Sequence, residues 1–359
     1  MTQHRKATIG DVAERACVSK ATVSLAYSGK RPVSEETRRR IFEAAAALDW
    51  TASESARALA TSRTGAIGLV IARPPEIIST DPFFPRFIAG CETVLAEVGM
   101  SLLLSVVASE EDETAAYRRY AAGRVDGVIL LDLEVDDRRP RLMAELGLPA
   151  VRLDPSASPA APGSFSDADS PEPDAAAIIP AVHAENASAV HELVDLLVEA
   201  GHRRIAHVSG PLQYVHGVDR RDAFIAAMTA QGLDPSMIVE GDFTAASGRE
   251  RTAELLRMTP RPTAILYAND VMAIAGLSHA RSQGLRIPED LSLTGFDDSD
   301  LAAHLSPRLT SVSTGAQAAG AMTVRTLLAV LAGDAPTAVR SDAPVVVRRE
   351  TVGPPPQTL

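Results

Sequence analysis

Cysteine is scarce in this sequence. Cys17 and Cys91 are the two cysteines in 359 residues, and no C-x-x-C occurs. Two thiols cannot staple a disulfide framework, so the small disulfide-rich secreted class is excluded and a reducing compartment fits. Aromatic residues make up only 4% of the chain, which leaves a core built mainly from aliphatic side chains. No stretch reaches the roughly 18–20 consecutive apolar residues of a membrane helix. The first residues, MTQHRKATIGDVAERA, hold no apolar signal core, so a cytoplasmic protein is expected. Signatures of catalysis are missing too: G-x-S-x-G, the P-loop and G-x-G-x-x-G are all absent. Asp297 and Asp298 are adjacent and cannot form the opposed carboxylates, ~5–10 Å apart, of a glycosidase. His202 and His207 lack metal-ligand spacing, and His207 sits in a strand-like run where it reads as a satisfied core residue. Neither an enzyme nor a cofactor nor a metal is expected.

What is present is ordinary globular material, 46% hydrophobic and 23% charged. Its length suits two or three compact units. The net charge of −11 conceals an asymmetry. Residues 1–63 carry 11 Lys and Arg against 7 Asp and Glu, a balance of +4, and the remainder carries 24 against 39, or −15. A basic head on an acidic body suggests a polyanion-binding module joined to something else.

The first 63 residues read as short helices: residues 9–16 after Thr8, residues 19–26 from Ser19, and a third from Ser34 with Ile41, Phe42, Ala45 and Leu48 at helical spacing. From residue 66 onward, short apolar runs alternate with helical stretches. The runs are IGLVIA (67–72), SLLLSVV (101–107), DGVILL (126–131), PAVRL (149–153), IIPAV (178–182), RIAHVS (204–209), MIVE (237–240), TAILY (263–267) and DLSLTG (290–295). Such alternation predicts parallel sheets covered on both faces, and the strands are too many for one compact sheet. Two α/β lobes follow. Residues 155–174 are rich in Pro, Ser and Asp and read as a surface insertion. Glu110 to Glu113 read as a solvated helix start, and the tail VGPPPQTL as frayed.

The head carries the sharpest pattern. Val12, Ala13 and Ala16 would form the inner face of the first helix, Val18 the turn, and Val23 with Ala26 the contact of the second. Two helices joined by a tight turn form the geometry that sets the second into a major groove. The stretch Ser19-Lys20-Ala21-Thr22 would then meet base edges, with Thr8 and Ser24 adding hydroxyls near phosphates. A small helical subdomain that binds protein is the alternative.

The string T-I-x-D-V-A-x-x-A-x-V-S-x-x-T-V-S, followed by V-S-x-x-T-R-x-x-I and A-x-x-L-x-W, resembles the lactose-repressor (LacI/GalR) family of bacterial transcription regulators. The resemblance implies a helix-turn-helix head (1–51), a hinge helix and linker (52–64) and a two-lobed, periplasmic-binding-protein-like body (65–352), with a tail from 353. Its lobes would be about 65–155 with 300–325, and about 175–299 with 326–352. Three positions depart from the family pattern. Cys17 stands where Gly is usual in the turn, Leu25 where Arg is frequent, and Ser28 where Asn is usual. A left-handed Cys17 would cost roughly 1 kcal/mol. Lys20 is the expected reader of guanine, and Ala21 would meet a thymine methyl. Leu25 and Ser28 complete the expected contacts. SESARALAT (53–61) matches the family's hinge, in which Ala56 would let paired helices approach, Arg57 would lie near phosphate and Leu59 would wedge between base pairs. A plain linker is the alternative.

GHRRIAHVSGP (201–211), LYANDVMAIAGL (266–277) and DLSLTGFDDSDLA (290–302) resemble the family's body. The resemblance implies effector contacts from Phe83, Phe84, Asp154, Arg220, Asn269, Asp270, Phe296 and Asp297. Asn269 and Asp270 could instead cap the following helix. Asp and Asn with one Arg suit a polyol, though Arg220 would equally suit a carboxylate or phosphate. The expected partners are a pseudo-palindromic operator duplex, a small-molecule effector and a second copy of the chain, with no membrane. The rival reading is a transport-type binding protein of the same two-lobed fold.

Overall fold

The computed structural model describes residues 7–28, 33–50, 63–155, 179–334 and 339–357. The expected hinge residues Ala56, Arg57 and Leu59 lie outside the described residues, as does all of the 155–174 insertion except Pro155.

The head is three helices, α1 (Ile9–Arg15), α2 (Lys20–Ser28) and α3 (Glu35–Ala47). Thr8 starts α1 with a reciprocal capping box: its hydroxyl accepts from the Asp11 amide, and the Asp11 carboxylate accepts from the Thr8 amide at 2.7 Å. The α1 end is a left-handed turn at Cys17, φ 51°. The Cys17 amide donates to Glu14 and the Val18 amide to the Ala13 carbonyl at 2.9 Å, a Schellman arrangement completed without glycine. Arg40 of α3 donates to the carbonyls of Ala16 and Cys17, so one arginine serves this turn from within. Val12, Ala13, Ala16, Val23, Ala26, Ile41, Ala44 and Ala45 form the small core, and Tyr27 lies edge-on to both Phe42 and Trp50.

The body holds two parallel sheets. The first lobe contains β1 (Ala66–Ala72), α4 (Pro75–Thr80), α5 (Phe83–Glu97), β2 (Ser101–Val107), α6 (Glu110–Ala121), β3 (Gly127–Leu130), α7 (Arg139–Leu146), β4 (Ala150–Asp154) and β5 (Ala181–His183). The chain then builds the second lobe from α8 (Ala187–Glu199), β6 (Ile205–Ser209), α9 (Val215–Ala230), β7 (Ile238–Glu240), α10 (Ala245–Leu256), β8 (Ala264–Tyr267), α11 (Asp270–Ser282), β9 (Ser292–Thr294) and β10 (Ser311–Ser313). It returns to the first lobe for α12 (Ala316–Ala332) and β11 (Val339–Arg340), and ends in the second with β12 (Val345–Val347). The sheet orders are β11-β5-β4-β3-β1-β2 and β7-β6-β8-β9, with β10 and β12 as an antiparallel pair.

Three sequence expectations are corrected here. The lobe limits move: β5, expected in the second lobe, pairs with β4 (Arg152↔Ala181), and α12 belongs wholly to the first lobe. Alternation of strands and helices gives their order but not the sheet they join. For α12 the reason is steric. Gly90 of α5 and Gly320 of α12 let the two helix backbones touch, because a Cβ on either would strike a carbonyl of the other helix. The run Glu110–Glu113 is solvated only in part, since Glu113 is buried and paired with Arg139 at 3.2 Å. The tail is pinned at its start: the Gly353 carbonyl meets His202 Nε2 at 2.9 Å, and its amide donates to Ser292 Oγ.

Candidate functional site

Two surfaces carry the side chains singled out in the sequence. On the head, Ser19, Lys20, Ala21 and Ser24 are exposed, while Thr22 and Leu25 are half-buried. Ser19 Oγ accepts from the Thr22 amide at 3.1 Å and lies 2.8 Å from the Thr22 hydroxyl, so this pair secures the first turn of α2. Val23 and Ala26 face the head core, and the alternation of buried and exposed positions turns Lys20, Ala21 and Ser24 outward. The Lys20 side chain lies across Gly10 beside the exposed Thr8, which gathers an ammonium and a helix-start hydroxyl at one edge. Ser28 ends α2.

In the body, a cavity of about 80 Å³ lies between the lobes. The first lobe contributes Arg73 after β1, Asp81, Phe83 and Phe84 around the start of α5, and Asp132 after β3; the second contributes His216 and Arg220 from α9, Phe243 and Asp297. Arg73, Asp132, Phe243 and Asp297 lie in loops that follow strands, the usual placement in open α/β sheets, while Asp81, Phe83 and Phe84 sit at the junction of α4 and α5. Arg220 is buried over the Phe296 ring, 3.9 Å from guanidinium carbon to centroid, and donates to the Ala268 carbonyl at 2.7 Å. Its Nε is buried with no hydrogen-bond partner among the described residues. Arg73 pairs with Asp132 at 2.9 Å and lies 3.5 Å over the Tyr214 ring.

Electrostatics separate these groups. Burial alone would raise Asp132, but the charge of Arg73 and its hydrogen bond outweigh that and hold the carboxyl below its ordinary range. Burial pushes Asp297 well above the usual carboxylate range, and the charge of Asp81 adds to it; Asp81 is raised by burial as well. Burial takes His216 down to about 3, so the ring is neutral at physiological pH.

The expected effector residues divide. Phe83, Phe84, Arg220 and Asp297 line the cavity together. Asp154 stays just outside, 3.5 Å from Arg152, while its neighbours Leu153 and Pro155 supply the wall. Asn269 is buried as the N-cap of α11, accepting from the Met272 amide, which is the alternative reading realised. Asp270 is likewise removed from the cavity: its two oxygens take the Ser311 hydroxyl and the Ser299 amide, each at 2.6 Å. Phe296 lies beneath Arg220. Sequence reasoning missed Arg73, Asp81, Asp132, His216 and Phe243. Arg73 and Asp132 each follow an apolar strand directly, a positional signal that could have found them; Phe243 stands at φ 70°, which no sequence pattern announces.

The chain has broad likeness to known proteins. Residues 8–53 match the family described as bacterial regulatory proteins, lacI family, and residues 194–352 match a periplasmic binding protein-like domain. The chain is 32% identical over 345 residues to the HTH-type transcriptional regulator CelR of Thermobifida fusca, covering 95% of this chain and 96% of that one. Among solved structures it is similar to a CelR–cellobiose complex (30% identity, TM-score 0.70, covering 96% of this chain and 99% of that one). It is also similar to the Lac repressor dimer bound to operator and the anti-inducer ONPF (26% identity, TM-score 0.78, covering 97% and 100%).

Proposed function

The chain belongs to the LacI family of bacterial regulatory proteins, and on that premise we propose how its two surfaces divide the work of an effector-controlled, DNA-binding transcription regulator. A dimer sets two copies of α2 into successive major grooves of a pseudo-palindromic operator. Lys20, Ala21 and Ser24 read bases, and Thr8, Ser19 and Thr22 hold the backbone, with Leu25 and Ser28 at the margin. Leu59 of the hinge wedges the operator centre, supported by Ala56 and Arg57. The regulator acts as a repressor.

The effector is an uncharged polyol such as a sugar. The observation that carries this reading is the buried Arg220, whose unpartnered Nε lies in a cavity wall beside Asp297. A ligand hydroxyl would satisfy Nε and donate to the carboxylates. An anionic ligand fits poorly. Arg73 is already neutralised by Asp132, and the carboxyl groups of Asp297 and Asp81 already face the guanidinium of Arg220, so a ligand's negative charge would meet no unmatched cation. Phe83, Phe84 and Phe243 offer apolar faces to the ring. Closure of the lobes on the sugar shifts the first lobes of the dimer and so the pairing of the hinges.

The test is operator selection from a random duplex library, followed by mobility-shift titration with and without sugars. Enrichment of a dyad, whose affinity falls steeply with salt and changes on adding one sugar, supports the reading. Enrichment of no dyad defeats the DNA half. A response to sugar phosphates or carboxylates, and to no neutral sugar, defeats the polyol half.

A further inference from the structure

The chain has two asparagines, Asn186 and Asn269, and each directly precedes a helix of the second lobe. They are used differently. Asn269 has an extended backbone, φ −151° and ψ 166°, and its side-chain oxygen accepts from the Met272 amide of α11 at 2.9 Å. Asn186 stands in the same position before α8, but its backbone is in the right-handed helical region, φ −116° and ψ −14°, and its side chain makes no capping hydrogen bond. A capping side chain needs the extended backbone to fold over the first turn. At α8 that work passes to the residue before: Glu185 accepts from the Ser188 amide at 2.7 Å and from the Ser188 hydroxyl at 2.8 Å. The Asn186 amide is thereby released from the helix start.

It is released into the cavity. Asn186 lines the cavity, is 7% exposed, and its side chain makes no hydrogen bond with any described residue. Its neighbours in the wall are apolar. Leu153 and Pro155 lie at the end of β4 and Ala184 just past β5, where the Ala184 amide donates to the Asp154 carbonyl at 2.8 Å. A primary amide left dry and unmatched is costly, and the cost is recovered when a ligand supplies the partners. The adjoining helix α9 packs on α8 and carries Arg220, whose Nε is likewise unmatched among the described residues. Two neighbouring helices of one lobe thus present open hydrogen-bonding groups to the same cavity.

We propose that Asn186 is an effector-contacting residue whose amide exchanges hydrogen bonds with one hydroxyl of the sugar and selects ligands that carry it. This deepens the polyol reading of the cavity and rests on it. An amide both donates and accepts, as a hydroxyl does, so the two match. A ligand with hydrogen in place of that hydroxyl would leave the buried amide unmatched and be rejected.

The experiment uses the full chain, with thermal shift and calorimetric titration. The probes are D-glucose, D-galactose, D-mannose, D-ribose, cellobiose and maltose, followed by the monodeoxy derivatives of the tightest binder. Asn186→Leu keeps the bulk of the side chain without its polar atoms; should it fail to fold, Asn186→Ala carries the same test. The variant is expected to bind the tightest sugar at least tenfold more weakly. One monodeoxy derivative should lose tenfold or more on the wild type and little further on the variant, the mark of a direct contact. Without sugar, the variant should melt at or above the wild type, whereas Asn269→Ala, which removes a cap, should melt about 2 °C lower or more. Unchanged sugar affinity overturns the assignment and leaves the polyol cavity standing. So do equal deoxy penalties in both proteins, or a sugar-free midpoint that falls as far as that of Asn269→Ala. A wild type that binds none of the six sugars overturns the polyol reading and this assignment with it.

Discussion

The head and the cleft handle their functional side chains in opposite ways. On α2, Lys20, Ala21 and Ser24 stand in solvent, and nine consecutive residues carry most of the expected reading surface. In the cleft, Arg73, Arg220 and Asp297 are each less than one-tenth exposed, and they come from positions more than 70 residues apart. The contrast follows from the partner. A duplex brings its own field and needs protruding donors that are free to reach it. A small neutral ligand must be enclosed, so its contacts have to be dry and already oriented. Among the described residues, the buried charged side chains accordingly all lie in the body.

The largest expected effect tests that division by acid. His207 is fully buried, with Nδ1 on the Leu266 carbonyl at 2.9 Å, and burial lowers its pKa to about 4. The unfolded chain takes up this proton near pH 6.5, while the folded chain resists until about pH 4. Folding stability is therefore lost as pH falls through that window, by about 3 kcal/mol from this group. His207→Phe should flatten the fall of Tm between pH 7 and 4.5, and an unchanged slope would break the assignment. Next comes Arg220→Ala, expected to weaken sugar binding roughly 10–100-fold in calorimetry, the scale of a hydrogen bond to a charged group. Unaltered binding would return the cleft to a purely structural role.

On the head, Lys20→Ala should weaken operator binding by about 1–2 kcal/mol and relax preference at one position of each half-site. Mobility shifts on single-base operator variants measure this, and equal discrimination would remove Lys20 from the reading surface. The smallest effect is at the turn. Cys17→Gly relieves a left-handed non-glycine residue and should stabilise the head by about 1 kcal/mol. Trp50 is the only tryptophan of the chain and packs on Tyr27 within the head, so its fluorescence follows this unit alone. A lower midpoint for Cys17→Gly would mean that the thiol makes a contact worth more than the strain.

Much of the head was legible because its rules are local. Thr8 and Ser34 cap their helices as expected, and Cys17 takes the left-handed turn that glycine usually fills. In the body, Phe83, Phe84, Arg220 and Asp297 line one cavity, while Asn269 and Asp270 hold the scaffold beside it. A polar pair after a strand looks the same whether it faces a ligand or caps the next helix. Arg73 and Asp132 escaped because their meaning lies in each other and in Tyr214, across 59 residues and a lobe boundary.

By itself the amino-acid order determined the helix starts, the reading turn, the alternation of strand and helix, and the charge contrast between head and body, all set by neighbours within a few residues. Tertiary structure alone decided which sheet β5 joins, how closely α5 and α12 approach at Gly90 and Gly320, and which buried charges meet in the cleft. Those outcomes depend on long-range register and on exclusion of water, and neither is written in any short window of sequence.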